Sequence, residues 1–543
     1  MIYASDFRKG IIAQLFEMYE KRKAAANALD FDDIIFFTVR LLAEHEDIRE
    51  EYRKKFRYIL VDEYQDTNFA QFNLIRLLCG EHENIMVVGD DDQSIYKFRG
   101  ATIENILSFD KSFETVKVVK LEQNYRSTQT ILDAANGVIQ NNQGRKEKAL
   151  WTENPQGEKI DFQQFETAYE EADYIARDIQ KKVQSGDYTY KDCAVLYRTN
   201  AQSRLLEERM IAENLPYDVV GGVNFYSRKE IKDVLAYLKT IDNGQDDIAV
   251  KRIINVPKRG IGQTSIDKVQ DYADVRNISF YDALREADQI MSLGKAAAKL
   301  EPFVLMIQTF RSKTEYYGMK ELIEDVLEKT GYLVDLENSD EEDAEDRIAN
   351  IDELISKAAY YEETHDEPTL SGFLEEVALV ADIDGVGEND NKVLLMTLHS
   401  AKGLEFPQVY LAGMEDNVFP SYMTIVSDDR TEIEEERRLA YVGITRAKEE
   451  LTLTCAKMRM VRGETQYNPI SRFVKEIPPK LLDNTLPALR RQEESRPVQE
   501  TQDFRPKAIV RPRATAPDRK PFITQGIGAL NNIAGLTKGG AVA

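Results

Sequence analysis

FRYILVDEYQDTN at residues 56–68 and NIMVVGDDDQSIY at 84–96 decide the fold class, because each runs from a short apolar segment into a polar, acidic loop. Short apolar strands ending in polar loops, with helical stretches between them, are the pattern of a parallel α/β sheet. Such sheets bind ligands in the crevice beyond the carboxyl ends of their strands. Tyr58–Val61 is expected to be a buried strand that delivers Asp62 and Glu63 to that crevice, and the strand Ile85–Val88 delivers Gln93 to the same edge. These groups suit phosphoryl chemistry. Asp62 would hold the Mg²⁺ of a nucleotide, Glu63 would orient or deprotonate the attacking water, and Gln93 would sense the γ-phosphate. Taken alone, an acidic pair after a strand also reads as a solvated loop or a helix cap.

Outward from this pair the pattern continues. Residues 1–55 read as helices, with apolar positions at Ile11, Ile12, Leu15 and Phe16 and again at Ile34, Ile35, Val39 and Leu42. TVKVVKLEQNYRS at 115–127 reads as a further strand and loop. A second α/β series starts near 119, includes CAVLYRTN at 193–200, is interrupted, and resumes with KVLLMTLHSAKGLEFPQVYLAGM at 392–414. The interruption, roughly 220–385, is helix-rich and carries VPKRGIG at 256–262. The resulting division is 1–118, 119–219, an inserted 220–385, 386–478, and a Pro-, Arg- and Gln-rich tail from 479 that reads as disordered.

At 543 residues the chain exceeds what one core serves, so three or four subdomains are expected. Cys79, Cys193 and Cys455 lie more than a hundred residues apart, which gives no zinc spacing or disulfide framework and points to a reducing, cytoplasmic location. No apolar run approaches the ~20 residues of a membrane span. A formal charge of −24 would ordinarily argue against a nucleic-acid partner. The acids concentrate in runs such as ENSDEEDAED at 337–346, however, while Arg and Lys recur inside the motifs, so local grooves can still be positive. Tyr96, Phe98 and Arg99 follow Gln93 directly, and aromatic residues two apart share one face of an extended chain, as a base-stacking platform needs. Lys258, Arg259, Gly260 and Gly262 precede a helical stretch. Two cations and free N–H groups at a helix N-terminus would form a sequence-independent phosphate site there.

VDEYQDTN, GDDDQSIYKFRGA, QNYRST, TLHSAKGLEF and YVGITRA, in this order, resemble motifs II to VI of the UvrD/PcrA/Rep group of superfamily 1 DNA helicases. The helical segment ending LDFDDII resembles that group as well. The resemblance implies two RecA-like P-loop NTPase domains, the first incomplete, with a helical insertion in the second. It implies ATP and Mg²⁺, and ATP-dependent 3′-to-5′ unwinding of duplex DNA in repair or replication. The partners would be single-stranded DNA, the single-strand/duplex junction, and repair or transcription proteins. Carried across residue by residue, it places Tyr125 on the adenine and Arg126 and Arg446 at the γ-phosphate as arginine fingers. Gly403 and Glu405 belong to a nucleotide loop with the glutamate near the ribose, and His399 of that loop faces DNA. Arg198, Asn200 and Arg204 would hold the single-strand backbone.

The chain departs from the group in one major respect. No stretch matches GxxxxGK(S/T), the loop whose amides and lysine bind the β- and γ-phosphates; Gly294-Lys295, for instance, is followed by Ala. The expectation is an N-terminally incomplete sequence that alone hydrolyses ATP at background rate. Phe98 stands where relatives often carry Trp, and Ser421 and Arg462 also depart from the group's pattern. Two other readings remain: the helicase part of a recombination helicase–nuclease, which wants a nuclease domain that the tail does not supply, and a non-hydrolysing DNA-binding scaffold, against which the intact motifs speak.

Overall fold

The computed structural model describes residues 7–80, 83–113, 116–338, 343–383 and 390–483, so the tail beyond Asp483 lies outside the described residues. Three helices come first, Phe7–Ala25, Phe31–Glu44 and Glu46–Lys55. The second starts where LDFDDII allows it: Asp30 accepts the N–H of Asp33 while Asp33 accepts the N–H of Asp30, a reciprocal cap. Asn68 and Gln71 make the same closure ahead of the helix Phe69–Cys79. Between these helices run β1 (Ile59–Val61) and β2 (Ile85–Val87), parallel, with Ile59 opposite Ile85.

Two expectations change here. Tyr58–Val61 is not a buried strand, because Leu60 is 72% exposed and its in-register neighbour Met86 faces solvent beside it. Two short strands cannot close a core on both faces. Residues 116–122 form no strand either: Val118, Val119 and Leu121 are exposed, and the chain next pairs at an isolated bridge between Gln123 and Trp151.

The second sheet has seven strands: β3 (Asp161–Thr167), β4 (Cys193–Tyr197), β5 (Tyr217–Val219), β6 (Val393–Thr397), β7 (Phe406–Leu411), β8 (Ala447–Val461) and β9 (Glu464–Tyr467). Their spatial order is β3-β8-β7-β4-β6-β5, all parallel, with β9 antiparallel on the end of β8. β4 lies between two strands from the far side of the interruption, Ala194 facing Leu394 on one side and Val409 on the other. All five β4 residues are buried, as a central strand of a parallel sheet covered on both faces requires. One apolar layer is built with the helices Gln129–Ile139 and Arg430–Ile444, and the other with Ala168–Ser185 and Ser203–Ala212.

Between β5 and β6 stands a helical body, running from Lys229–Asp242 to Leu370–Ile383, with its own core of Phe225, Phe280, Phe303, Ile323 and Ile355 among others. Its joint with the sheet is ionic. Arg204, 1% exposed, pairs with Glu208 at 2.9 Å and Glu353 at 2.7 Å, and Lys357 pairs with Glu208 and Glu376. Arg228 donates to Ser203 Oγ and to Asn350 Oδ1, both at 2.7 Å. Among the described residues no helix is long and apolar enough to cross a membrane.

Breaking a buried ion pair from one side strands the other charge, so Arg204→Ala should lower stability by roughly 3–5 kcal/mol. Urea unfolding followed by tyrosine fluorescence checks this; an unchanged midpoint would show that the joint does not depend on the pair.

Candidate functional site

β1 and β2 end at one edge, as their parallel register demands, and their loops are interlocked. Asp62 Oδ1 accepts the N–H of Glu63 at 2.9 Å. Glu63 sits in the left-handed region, φ +49°, which few non-glycine residues adopt. Gln65 holds it there, its Nε2 donating to Glu63 Oε2 at 2.6 Å, while Gln65 Oε1 accepts the N–H of Asp90 at 3.0 Å. Gly89 is forced by this lock: a Cβ at that position would lie 2.4 Å from Gln65 Oε1. Gln93 Nε2 donates to Asp90 at 2.7 Å, which turns its Oε1 towards Arg446 at 3.4 Å.

Arg446 stands at the end of the helix Arg430–Ile444, just ahead of β8, and is 2% exposed. Its guanidinium donates to the carbonyls of Val442 at 3.0 Å and Leu404 at 3.1 Å, and no carboxylate of the described residues lies within ion-pair distance. Burial, reinforced by the Arg126 guanidinium, pushes it down to about 10, so it stays cationic at neutral pH. Arg126 donates to Glu405 at 2.5 Å and to the Thr445 carbonyl at 3.3 Å, and Lys448 pairs with the other Glu405 oxygen at 2.8 Å. Tyr125 beside it is 79% exposed, a free ring at the rim. Gly403, φ +84°, leaves open space where a side chain would stand. Gln93 and Arg446, and Arg126 and Glu405, are thus paired along one seam, with Arg126 bonded to the residue before Arg446, while Asp62 and Glu63 stand in the loop after β1 and Gly403 two residues before Glu405.

The sequence reading missed the residue that ties that seam together. Lys402, buried, pairs with Asp66 and with Glu63 at 3.5 Å, donates to the Gln93 carbonyl at 2.8 Å, and lies 5.3 Å from the Tyr96 ring centroid. Its only signal was a lysine three places after His399 in an otherwise apolar and small stretch, and a lone lysine is ordinarily solvated.

Tyr96 and Phe98 are not in extended chain: Lys97–Arg99 is a tight helical turn, and the two rings lie 6.0 Å apart and tilted. Tyr96 is partly buried against the sheet core, whereas Phe98 is 65% exposed. His399 meets the Phe98 ring edge-on at 5.4 Å, and Arg99 lies over both aromatic rings. Arg198 is held by Glu436 through paired bonds of 2.9 and 2.6 Å. Asn200 reaches away, to Asp346 of the helical body at 3.2 Å. Arg204 is inside the joint and offers nothing to a ligand. In the KRGIG segment Arg259 is turned inward, donating to the carbonyls of Ile253 and Ile254 and to the Tyr237 hydroxyl, because it closes the end of the helix Asp247–Ile253. Lys258, Gly260 and Gly262 are exposed, and Gly262 opens the helix Gln263–Arg276 with no side-chain cap.

Burial, together with the charges of Arg198 and Arg99, pushes the His399 imidazole down to about 3. The unfolded chain therefore binds this proton at a higher pH than the folded chain does, and stability should fall as pH drops from 6.5 towards 3, with no contribution above 6.5. Urea midpoints across that window should decline less steeply in His399→Gln; parallel declines would remove His399 as the cause.

Comparison with known proteins gives the same picture. The UvrD/REP helicase N-terminal domain family matches residues 2–114, and the UvrD-like helicase C-terminal domain family matches 119–458. The chain is 49% identical over 483 residues to the ATP-dependent DNA helicase PcrA of Staphylococcus aureus strains Mu50 and NCTC 8325, and 48% identical to that of Staphylococcus epidermidis strain RP62A. These alignments cover 89% of this chain and 66% of each relative, so the chain spans slightly less than two thirds of the length of the curated relatives it matches. With parallel sheets, helicase motifs facing one seam and a family match over most of its length, this chain belongs to the UvrD-like helicase family.

Proposed function

We propose that the chain is the larger part of an ATP-driven, cytoplasmic DNA translocase that unwinds duplex DNA 3′ to 5′ in repair or replication. In this reading residues 1–118 belong to a first RecA-like domain, 119–219 with 386–478 form the second, and 220–385 is an insertion that meets the duplex. The observation that carries it is Arg446: a buried guanidinium with no carboxylate opposite it, beside Gln93 and Arg126, is electrostatically incomplete and suits a phosphate.

The geometry supports the following roles. Arg126 and Arg446 would stabilise the charge developing on a γ-phosphate, and Glu63, already oriented by Gln65, would accept the proton of the attacking water. Glu405 restrains Arg126, and the exposed Tyr125 ring offers a face to the adenine. Asp62 fits Mg²⁺, being an exposed carboxylate with no lysine or arginine of the described residues in pairing range. When bound, that ion would neutralise phosphate charge. Lys402 joins Glu63 and Gln93 on one side to Tyr96 and the His399 loop on the other, so a strand of DNA at Phe98 and a nucleotide at Gln93 bear on the same residues. Phe98, Arg99 and His399 form the stacking surface, while Arg198, close to His399, and Asn200, turned to the helical body, are engaged in contacts that DNA would have to replace. Lys258 with the Gly260–Gly262 turn is the duplex contact, and partners among repair or transcription proteins would join the full-length protein.

Two measurements test the reading. On oligothymidylate, Phe98→Ala should weaken binding by on the order of 1–3 kcal/mol with little base preference, since stacking is sequence-tolerant. Lys258→Ala should reduce the log–log salt slope on a duplex junction by about one unit. Binding of neither DNA by the intact chain would sink the proposal.

For ATP, no GxxxxGK(S/T) loop is present in the 543 residues, and positioning is most of phosphoryl-transfer catalysis. The chain by itself should release phosphate at background rate, and grafting a loop-bearing α/β segment from a relative ahead of Met1 should give DNA-stimulated release that Glu63→Gln abolishes. Robust turnover by the 543 residues alone would require a phosphate site elsewhere.

A further inference from the structure

Three consecutive carboxylates, Asp90, Asp91 and Asp92, stand immediately before Gln93, and Asp91 and Asp92 are buried. Left unanswered, three adjacent charges would repel one another and the turn would open. Among the described residues, every cation paired with them comes from one short loop, residues 145–148. Arg145 grips Asp92 with Nε at 2.9 Å and Nη2 at 2.6 Å. Lys148 pairs with Asp90 at 2.6 Å, with Asp92 at 3.3 Å and with Asp91, and the N–H of Lys146 donates to Asp91 at 2.7 Å.

The arrangement is directional. Asp90 Oδ1 is the atom that takes Lys148, and its Oδ2 takes the Gln93 side chain that faces Arg446. The loop that supplies the cations lies beyond the helix Gln129–Ile139, whose other end follows Arg126 by three residues. One helix therefore has Arg126 of the seam just ahead of its start and, past its end, the clamp on the Gln93 turn.

We infer that Arg145 and Lys148 are positioning residues, which hold the Asp90–Asp92 turn so that Gln93 meets Arg446 and the following Tyr96–Arg99 turn presents Phe98 to DNA. The DNA half of this inference rests on the function proposed above. Neither residue touches the seam itself; both act through Asp90 and Asp92.

The test uses the full 543-residue chain. Amide hydrogen exchange is measured over residues 88–100 in the wild type, Lys148→Met and Lys148→Arg, alongside oligothymidylate affinity. In Lys148→Met the segment should exchange about tenfold faster, and affinity should fall on the order of fivefold as Phe98 loses its fixed position. Lys148→Arg should restore both, and exchange in the helical body at 229–383 should not change. If Lys148→Met does not fold, Asp92→Asn loosens the same clamp at its Arg145 pair and is read in the same way. Unchanged exchange at 88–100, or faster exchange with oligothymidylate affinity intact, overturns the inference. Absence of oligothymidylate binding by the wild type would instead defeat the helicase reading, leaving the exchange comparison to decide the positioning role.

Discussion

One unbalanced charge sets the terms of the seam. Arg446 is solvated by carbonyl dipoles and by the Gln93 carboxamide, which satisfy its N–H groups without cancelling its charge. Around it the chain gathers Arg126, Lys402 and Lys448, and answers them only from the edges, through Glu63, Asp66 and Glu405. In a protein of formal charge −24, four cations are thus collected along one seam. Global charge therefore says little about what binds there.

The joint of the helical body uses the same residue types to the opposite end. Arg204 and Lys357 each meet two carboxylates, and Arg228 meets the Glu207 carboxylate at 3.7 Å besides a hydroxyl, a carboxamide and backbone carbonyls. A network in which every donor has an acceptor rigidifies and has little left to offer a ligand. An arginine with only neutral partners has something left to bind. Counting arginines in a motif cannot separate these cases, since the difference lies in what packs opposite.

That difference also marks how far the sequence could be read. The parallel α/β class and an interrupted second series were legible, because period and punctuation are local properties: the apolar run of β4 and the polar loops that follow the short strands are written in adjacent residues. Asp62, Glu63, Gln93, Arg126, Arg446 and Glu405 could be singled out because their motifs are contiguous. What failed was long-range. Arg204 and Arg259 look like phosphate contacts beside Asn200 and Gly260, and only the approach of Glu353 or of the carbonyls at Ile253 and Ile254 turns them inward. Lys402, Arg145 and Lys148 were overlooked for the same reason, their partners being on average many tens of residues away in the chain. The strand expected at 116–122 had the right composition but has no neighbour to pair with.

The placement of β4 between β6 and β7 has a consequence for the order in which the molecule can assemble. β3, β4 and β5 are made first, yet β4 gains both of its neighbours only after the whole helical body has been synthesised. At roughly 5–20 residues per second, that leaves the central strand unpaired for on the order of 10–40 s on the ribosome. The helical body, with its own core and its contacts close in sequence, can fold within that interval. Its closed ends would then bring β6 back alongside β4 and β5, so that the insertion acts as an internal template for the sheet that it interrupts, sparing an apolar strand with open edges a longer search for its partners.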